Sequence, residues 1–415
     1  MKSKHPDRTR DRAGKAWPVS RRRFLGLGVG ALTAWLAGCR RADVIPAATP
    51  LSTPAVDPSS TVSSSSTPAP EASPISSPAP ASTPSPPPPT ATPIPPTYTP
   101  VQSTPTSPPP PTPEPAPALS RPALMAHWPV TATSRVVLVR HSGVWAGGTP
   151  DPAIVLQMLD AGLSTLADTA DVLAVWRALF APAERVLLKV NCIAYGGPTQ
   201  PAVAYGVARR LQDAGLPAEN ILIFDRTDNE LAAAGYTLNE GGPGVQCHGA
   251  RGEGTEATLS QASVRFYQEF DAADAIVNIP TPKQHGTAGV SVALKNHYGS
   301  VNRPGSLHGN WCDPAIAELN AQPTVRDKTR LIVGAALNVS PQDWNRPERE
   351  NALLVSFDPV ALDTVGRDIL VRHRQDAGFD VGYLIEGARH LGTAQALGLG
   401  TADADLIDLH EVVLG

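Results

Sequence analysis

Short apolar runs recur through residues 135–360, each followed by a polar cluster and then a helical pattern. Arg135-Val-Val-Leu-Val139, Arg185-Val-Leu-Leu-Lys-Val190 and Ile221-Leu-Ile-Phe224 read as buried strands. Ala275-Ile-Val-Asn-Ile279, Leu331-Ile-Val333 and Asn351-Ala-Leu-Leu-Val-Ser356 are further short strands. Pro201 to Ala214 is an amphipathic helix ending at Gly215, and Asp358-Pro359 supplies a cap and a first-turn proline for another helix. Strands alternating with helices predict an α/β fold: a mainly parallel sheet built from βα units and flanked by helices, in one lobe or two. Ligands in such sheets sit beyond the carboxyl ends of the strands.

The first 118 residues follow other rules. Residues 1–38 carry nine Lys/Arg against Asp7 and Asp11, and lead through Ser20-Arg-Arg-Arg-Phe-Leu25 into an apolar run from Phe24 to Gly38. That is a twin-arginine signal pattern, too short for a permanent membrane span. Leu36-Ala-Gly-Cys39 resembles a lipobox, so Cys39 is the expected lipidation site of an extracytoplasmic, membrane-anchored lipoprotein. A Cys39→Ser variant is expected to lose its membrane association. Residues 39–118 form a Pro/Ser/Thr-rich stalk holding 26 of the 45 prolines, too poor in apolar surface to offset its ordering entropy. Fully extended, about 75 such residues at ~3.1 Å each would span roughly 230 Å. Residues 119–415 are the folded domain.

Charge narrows the function. Without residues 1–38 the chain keeps 25 basic and 36 acidic residues, a balance of −11 that argues against nucleic-acid binding. Cys192, Cys247 and Cys312 are widely spaced and odd in number, unlike a disulfide framework; one bridge between unspecified partners stays open. No C-x-x-C occurs. Cys247-His248 and His308 with Cys312 match no metal-ligand spacing well.

The polar clusters supply the candidate chemistry. Lys189 and Asn191 straddle a strand end, where Lys189 is either a rim lysine paired with a carboxylate or a ligand contact. Asp225, Arg226 and Asp228 follow the third strand and are read as turn residues. In Pro280 to Ser300, Lys283 to Gly286 is read as a turn, and Thr287 as the cap of a short helix running through Lys295 to Tyr298 and closed by Gly299. Lysines beside a helix N-terminus suit a carboxylate or phosphate. His285 and His297 are ligands, proton shuttles or core histidines. Asp358 is an N-cap, while Asp363, one turn on, is expected to face the site.

"IVNIPTPKQHGTAGVSVALKNHYGSV" followed by "SLHGN" resembles the signature of the domain-of-unknown-function family 362, a bacterial and archaeal family. The resemblance extends to "VLLKVNC", "TQPAVAYGVARRLQDAGL", "ILIFDR" and "LLVSFDPVALDTVG". It places Lys189, Asn191, Lys283, His285, Lys295, Asn296, His308, Asp358 and Asp363 on recurring polar positions. Val190 stands where the family usually has proline, and "IVGAALNVSPQDWN" where members often have Asp and Gly-Pro, a departure that puts one site element in question.

The expectation is therefore a cleft that binds or transforms a small anionic molecule. Lys189, Lys283 and Lys295 would supply charge, with His285 as acid/base or ligand. Asn191, Asn296 and His308 would contact the ligand, and Asp363 would pair with a lysine or hold a cation. No cofactor is identified. Two alternatives are a solute-binding lipoprotein without turnover and a redox accessory working with an iron–sulfur partner, since many relatives are linked to ferredoxin-type modules.

Overall fold

The computed structural model describes residues 119–125, 133–193 and 197–415. The expected signal segment, Cys39 and the expected stalk lie outside these residues.

The strands that build the fold are, in chain order, β1 (Ser134–Arg140), β2 (Val186–Lys189), β3 (Ile221–Phe224), β4 (Gln246–His248) and β5 (Ala275–Asn278). There follow β6 (Lys283–His285), β7 (Gly289–Ser291), β8 (Thr329–Val339), β9 (Glu348–Ser356) and β10 (Ile407–Val413). Eight of them form one sheet in the order β10-β1-β9-β8-β5-β2-β3-β4, and β6 and β7 pair as a separate antiparallel hairpin. Within the sheet only β9 runs against its neighbours, so it is mainly parallel as the alternation of strands and helices predicts. One sheet spans the described domain, with no division into two lobes.

Side chains alternate across this sheet into two cores. Val136, Leu138, Leu187 and Ile276 face one side; Val137, Val139, Val186, Leu188 and Val277 face the other. The second face is covered by α1 (Pro152–Leu166), α2 (Val172–Leu179) and α3 (Pro201–Asp213), through Val155, Met158, Trp176 and Val207. The first face is covered by α4 (Ala293–Asn296) and α5 (Pro359–Asp376), through Leu294, Val360 and Leu362. Burying each such large side chain contributes about 1.5–3 kcal/mol, which is what drives the helices onto the sheet.

Two local expectations are revised. The run Leu331–Val333 lies in the first half of an eleven-residue strand, β8. The segment after Pro280 does not turn once and enter a helix at Thr287. It folds as the β6–β7 hairpin, and only Ala293–Asn296 is α-helical before a 3-10 turn over His297–Ser300. Gly289 explains the difference: its φ is +70°, and a Cβ there would lie 2.8 Å from the Ala388 backbone nitrogen. Only glycine lets this hairpin approach so closely a backbone segment 99 positions away.

Candidate functional site

From β2 the chain steps to β3 and β4 on one side, then returns to β5 on the other. The strand order reverses between β2 and β5, and a crevice opens beyond the carboxyl ends of strands at such a point. A cavity of about 210 Å³ lies there, lined by Lys189, Asn191, Asp225, Arg226, Lys283, His285, Ser291, Lys295, Asn296, Tyr298, Gly299, His308 and Trp344 among others. A larger hollow of about 540 Å³, beside β4, contains none of the predicted site residues.

A continuous chain of polar contacts organises one wall. Asp225, at the end of β3, accepts from Lys189 Nζ at 2.8 Å, with the two side chains 4% and 1% exposed. Lys189 also donates to Asn296 Oδ1 at 3.4 Å, and Asn191 Nδ2 donates to the same oxygen at 3.2 Å. Asn296 Nδ2 in turn donates to the Lys189 carbonyl and to Asn278 Oδ1, so this amide is fully used. Asn191 Oδ1 then accepts from Lys283 Nζ at 2.8 Å. Both amide orientations follow from the lysines that bracket them.

The other wall is an arc of rings with a lysine at each end. Lys283 Nζ lies 4.8 Å from the Trp344 ring centroid, Trp344 lies 5.9 Å from His285, and His285 lies 5.4 Å from His308. His308 Nε2 faces Lys295 Nζ at 3.4 Å, and Lys295 also sits 4.1 Å over the Tyr298 ring. The hydrogen bonds fix the tautomers. His308 Nδ1 donates to the Pro304 carbonyl, so its Nε2 accepts from Lys295. His285 Nδ1 accepts from the Thr287 and Ala288 amides at 3.2 and 3.1 Å, leaving Nε2 as the protonated nitrogen.

Burial and like charge shift these groups in one direction. Lys283 is pushed down to about 7, first by burial and then by the charge of Lys295. Burial takes Lys295 down to about 8. His285 falls to about 3 through burial and Lys295, and His308 is lowered for the same two reasons. Both histidines are therefore neutral at neutral pH.

Several predicted site residues take other places. Lys189 contributes no free charge, because Asp225 neutralises it. Asp363 does not reach a lysine or the cavity. It is fully buried and caps α4 from 70 residues away, accepting from the Ala293 and Leu294 amides at 2.6 and 3.0 Å, while burial pushes its carboxyl up to about 8. The helix N-terminus expected to receive an anion is occupied by this carboxyl group. Asp358 caps α5 through the Val360 and Ala361 amides. His297 is a core residue, donating from Nδ1 to Ser300 Oγ and accepting from Asn278 at Nε2.

Other residues take part in the site in roles that their sequence context does not assign them. Asp225 is an ion-pair partner rather than a turn residue, and Arg226 lines the cavity. Trp344 comes from the departing segment "IVGAALNVSPQDWN", anchored by its Nε1 donating to the Gln284 carbonyl at 2.7 Å. That segment is reshaped here and still supplies the site. Gly299 is required by space: a Cβ would lie 2.8 Å from Lys189 Nζ. Among the described residues the Cys/His pairs do not converge on a metal-ligand set, and Cys192, Cys247 and Cys312 are unpaired.

Residues 186–368 match the model of the family described as Domain of unknown function (DUF362). The match includes every cavity residue named above, from Lys189 to Trp344. A thylakoid-associated protein of Synechocystis sp. (strain ATCC 27184 / PCC 6803 / Kazusa) is 28% identical over 214 residues, covering 46% of this chain and 64% of that protein. Among solved structures, a Thermotoga maritima protein is 16% identical with a TM-score of 0.35, over 55% of this chain and 60% of its own. The lactate racemase apoprotein from Thermoanaerobacterium thermosaccharolyticum is 14% identical with a TM-score of 0.32, over 55% of each chain. The chain thus spans less than two thirds of the length of each relative, and at these TM-scores neither structure bears on its chemistry.

Proposed function

We propose that this is an exported, lipid-anchored domain whose cavity binds a small anion, a carboxylate or a phosphate. One observation carries the reading: Lys283 and Lys295 are 3% and 7% exposed, face one cavity, and meet no carboxylate among the described residues. Their partners are neutral, namely Asn191, the Ile193 carbonyl, His308 and two aromatic rings. Burying a charge is costly unless it is paired, and a bound anion supplies the missing partner. The basic leader, the apolar run and the lipobox ending at Cys39 support export and anchoring, with the stalk as spacer.

Calorimetric titration of the full chain with inorganic phosphate, acetate and oxalate tests the site. At least one anion should bind, and its affinity should fall as pH rises through about 7 and about 8, where Lys283 and Lys295 lose their protons. Lys295→Met should weaken it at least tenfold. If no anion binds, or if the variant binds equally well with its melting temperature unchanged, the proposal fails.

A further inference from the structure

Beyond residue 38 the chain has 21 arginines but four lysines, Lys189, Lys283, Lys295 and Lys328, and the first three line this one cavity. Surface charge is carried by arginine. A guanidinium does not lose its proton in proteins, whereas an ammonium does so readily when buried. Lysine is thus concentrated where a neutral amine is accessible.

The surroundings of Lys283 suit that neutral form. Its Nζ has two oxygen acceptors, Asn191 Oδ1 at 2.8 Å and the Ile193 carbonyl, and the Trp344 ring centroid lies 4.8 Å away. A neutral amine has two N–H bonds for the two oxygens and one lone pair left over. Lys189 provides the contrast within the same site, since it has Asp225 and stays paired. Lys295, at the far end of the ring arc, is the cationic neighbour that favours an uncharged Lys283. A cavity of about 210 Å³ is below the usual range of about 300–1,000 Å³ for drug-sized ligands, so its occupant is a small molecule.

Building on the anion-binding reading, we infer that Lys283 is a covalent nucleophile for a small 2-oxo carboxylate, which it holds as an iminium while Lys295 pairs with the carboxylate. The Nζ lone pair attacks the keto carbon, the N–C bond forms, and the carbonyl π electrons move to oxygen. One Nζ hydrogen and one proton from solvent leave with that oxygen as water, and the C–O bond breaks to give C=N⁺. The hydrogen kept on nitrogen still donates to Asn191 Oδ1. No oxidant or reductant takes part. His285, neutral and with its N–H at Nε2, lies on the ring arc between the two lysines, where it can donate a hydrogen bond to the keto oxygen as charge builds there, the proton itself coming from solvent.

Borohydride trapping reads this out. The full chain is incubated with pyruvate at pH 7.5, reduced with sodium borohydride, and digested for peptide mass spectrometry. The expected result is a reduced pyruvyl adduct at Lys283, at least tenfold over Lys328, which donates to the Phe270 and Asp271 carbonyls elsewhere and serves as internal comparison. Trapping should vanish in Lys283→Arg and drop at least tenfold in Lys295→Met. Because the adduct is mapped on the wild-type chain, a variant that fails to fold leaves the result readable. Equal labelling of Lys283 and Lys328, or no labelling, overturns the nucleophile. If pyruvate then still binds by calorimetry, anion binding stands without it; if it does not bind and the other anions fail too, both readings fall.

Discussion

Replacing Lys189 with Met removes the countercharge of Asp225 while keeping a side chain of similar length at the end of β2. The pair is 2.8 Å apart and almost wholly buried, so solvent cannot replace the lost cation. Asp225 would retain the amides of Cys192 and Arg226, at 2.6 and 2.9 Å. The Val190 carbonyl and Asn296 Oδ1 would each lose a donor. Breaking one side of a buried ion pair costs about 3–5 kcal/mol. The two retained amides put the expectation at the lower end, about 3 kcal/mol. Asp225→Asn alone strands the ammonium and should cost a similar amount. The double variant removes both charges, so a double-mutant cycle should give a coupling energy of about 2 kcal/mol in favour of the pair. Urea unfolding of the four proteins at pH 7, followed by tryptophan fluorescence, measures it. A Lys189→Met loss below about 1 kcal/mol, or a coupling indistinguishable from zero, would refute the argument that this pair anchors the amide chain leading to Lys283.

Gly299→Ala should disturb the same pair from outside: its Cβ would sit 2.8 Å from Lys189 Nζ and 3.0 Å from Asp225 Oδ1. A loss of about 1–3 kcal/mol in urea unfolding is expected for such overpacking; an unchanged midpoint would show that the ion pair shifts freely. His373, on α5, is held at both ring nitrogens, Nδ1 by Glu348 at 2.8 Å and Nε2 by Glu350 at 2.7 Å, with Arg140 and Arg372 also on Glu350. The Glu350 bond raises its pKa above 6.5, so its stabilisation is complete below the unfolded value and is lost as pH rises through the folded one. The gap in urea midpoint between wild type and His373→Gln should therefore be larger at pH 6 than at pH 9, and a gap independent of pH would remove the imidazolium from the account.

Local patterns were legible in the sequence and distant partnerships were not. β2 and β3 could be read directly because their apolar runs are buried on both faces, and Asp358-Pro359 because cap and helix are adjacent. The β6–β7 hairpin could not: its strands are three residues long, too short to show alternation, and the close approach of Gly289 to the distant Ala388 backbone leaves no mark in the local sequence. Asp225 looked like any strand-end aspartate, because nothing in the sequence says that β3 lies beside Lys189. Asp363 looked like a site residue because it follows Asp358 by one turn beside the apolar Val360-Ala361-Leu362; its partner is the start of α4, 70 residues earlier.

One non-local signal was nonetheless present in the composition. Where 21 arginines and four lysines follow residue 38, positive charge as such does not explain the choice, since arginine would supply it with more hydrogen bonds. The three lysines that line the cavity stand next to neutral acceptors, at Lys283 and Lys295, or in a paired site too crowded for a planar fork, at Lys189 beside Gly299. At Lys283 the need is for a group that can lose its proton, and at Lys189 for one that fits. Lys283→Arg separates the two requirements, because it keeps the charge and the anion contact while removing the deprotonated state. If acetate binding survives that substitution and pyruvate trapping does not, the lysine is there for its lone pair.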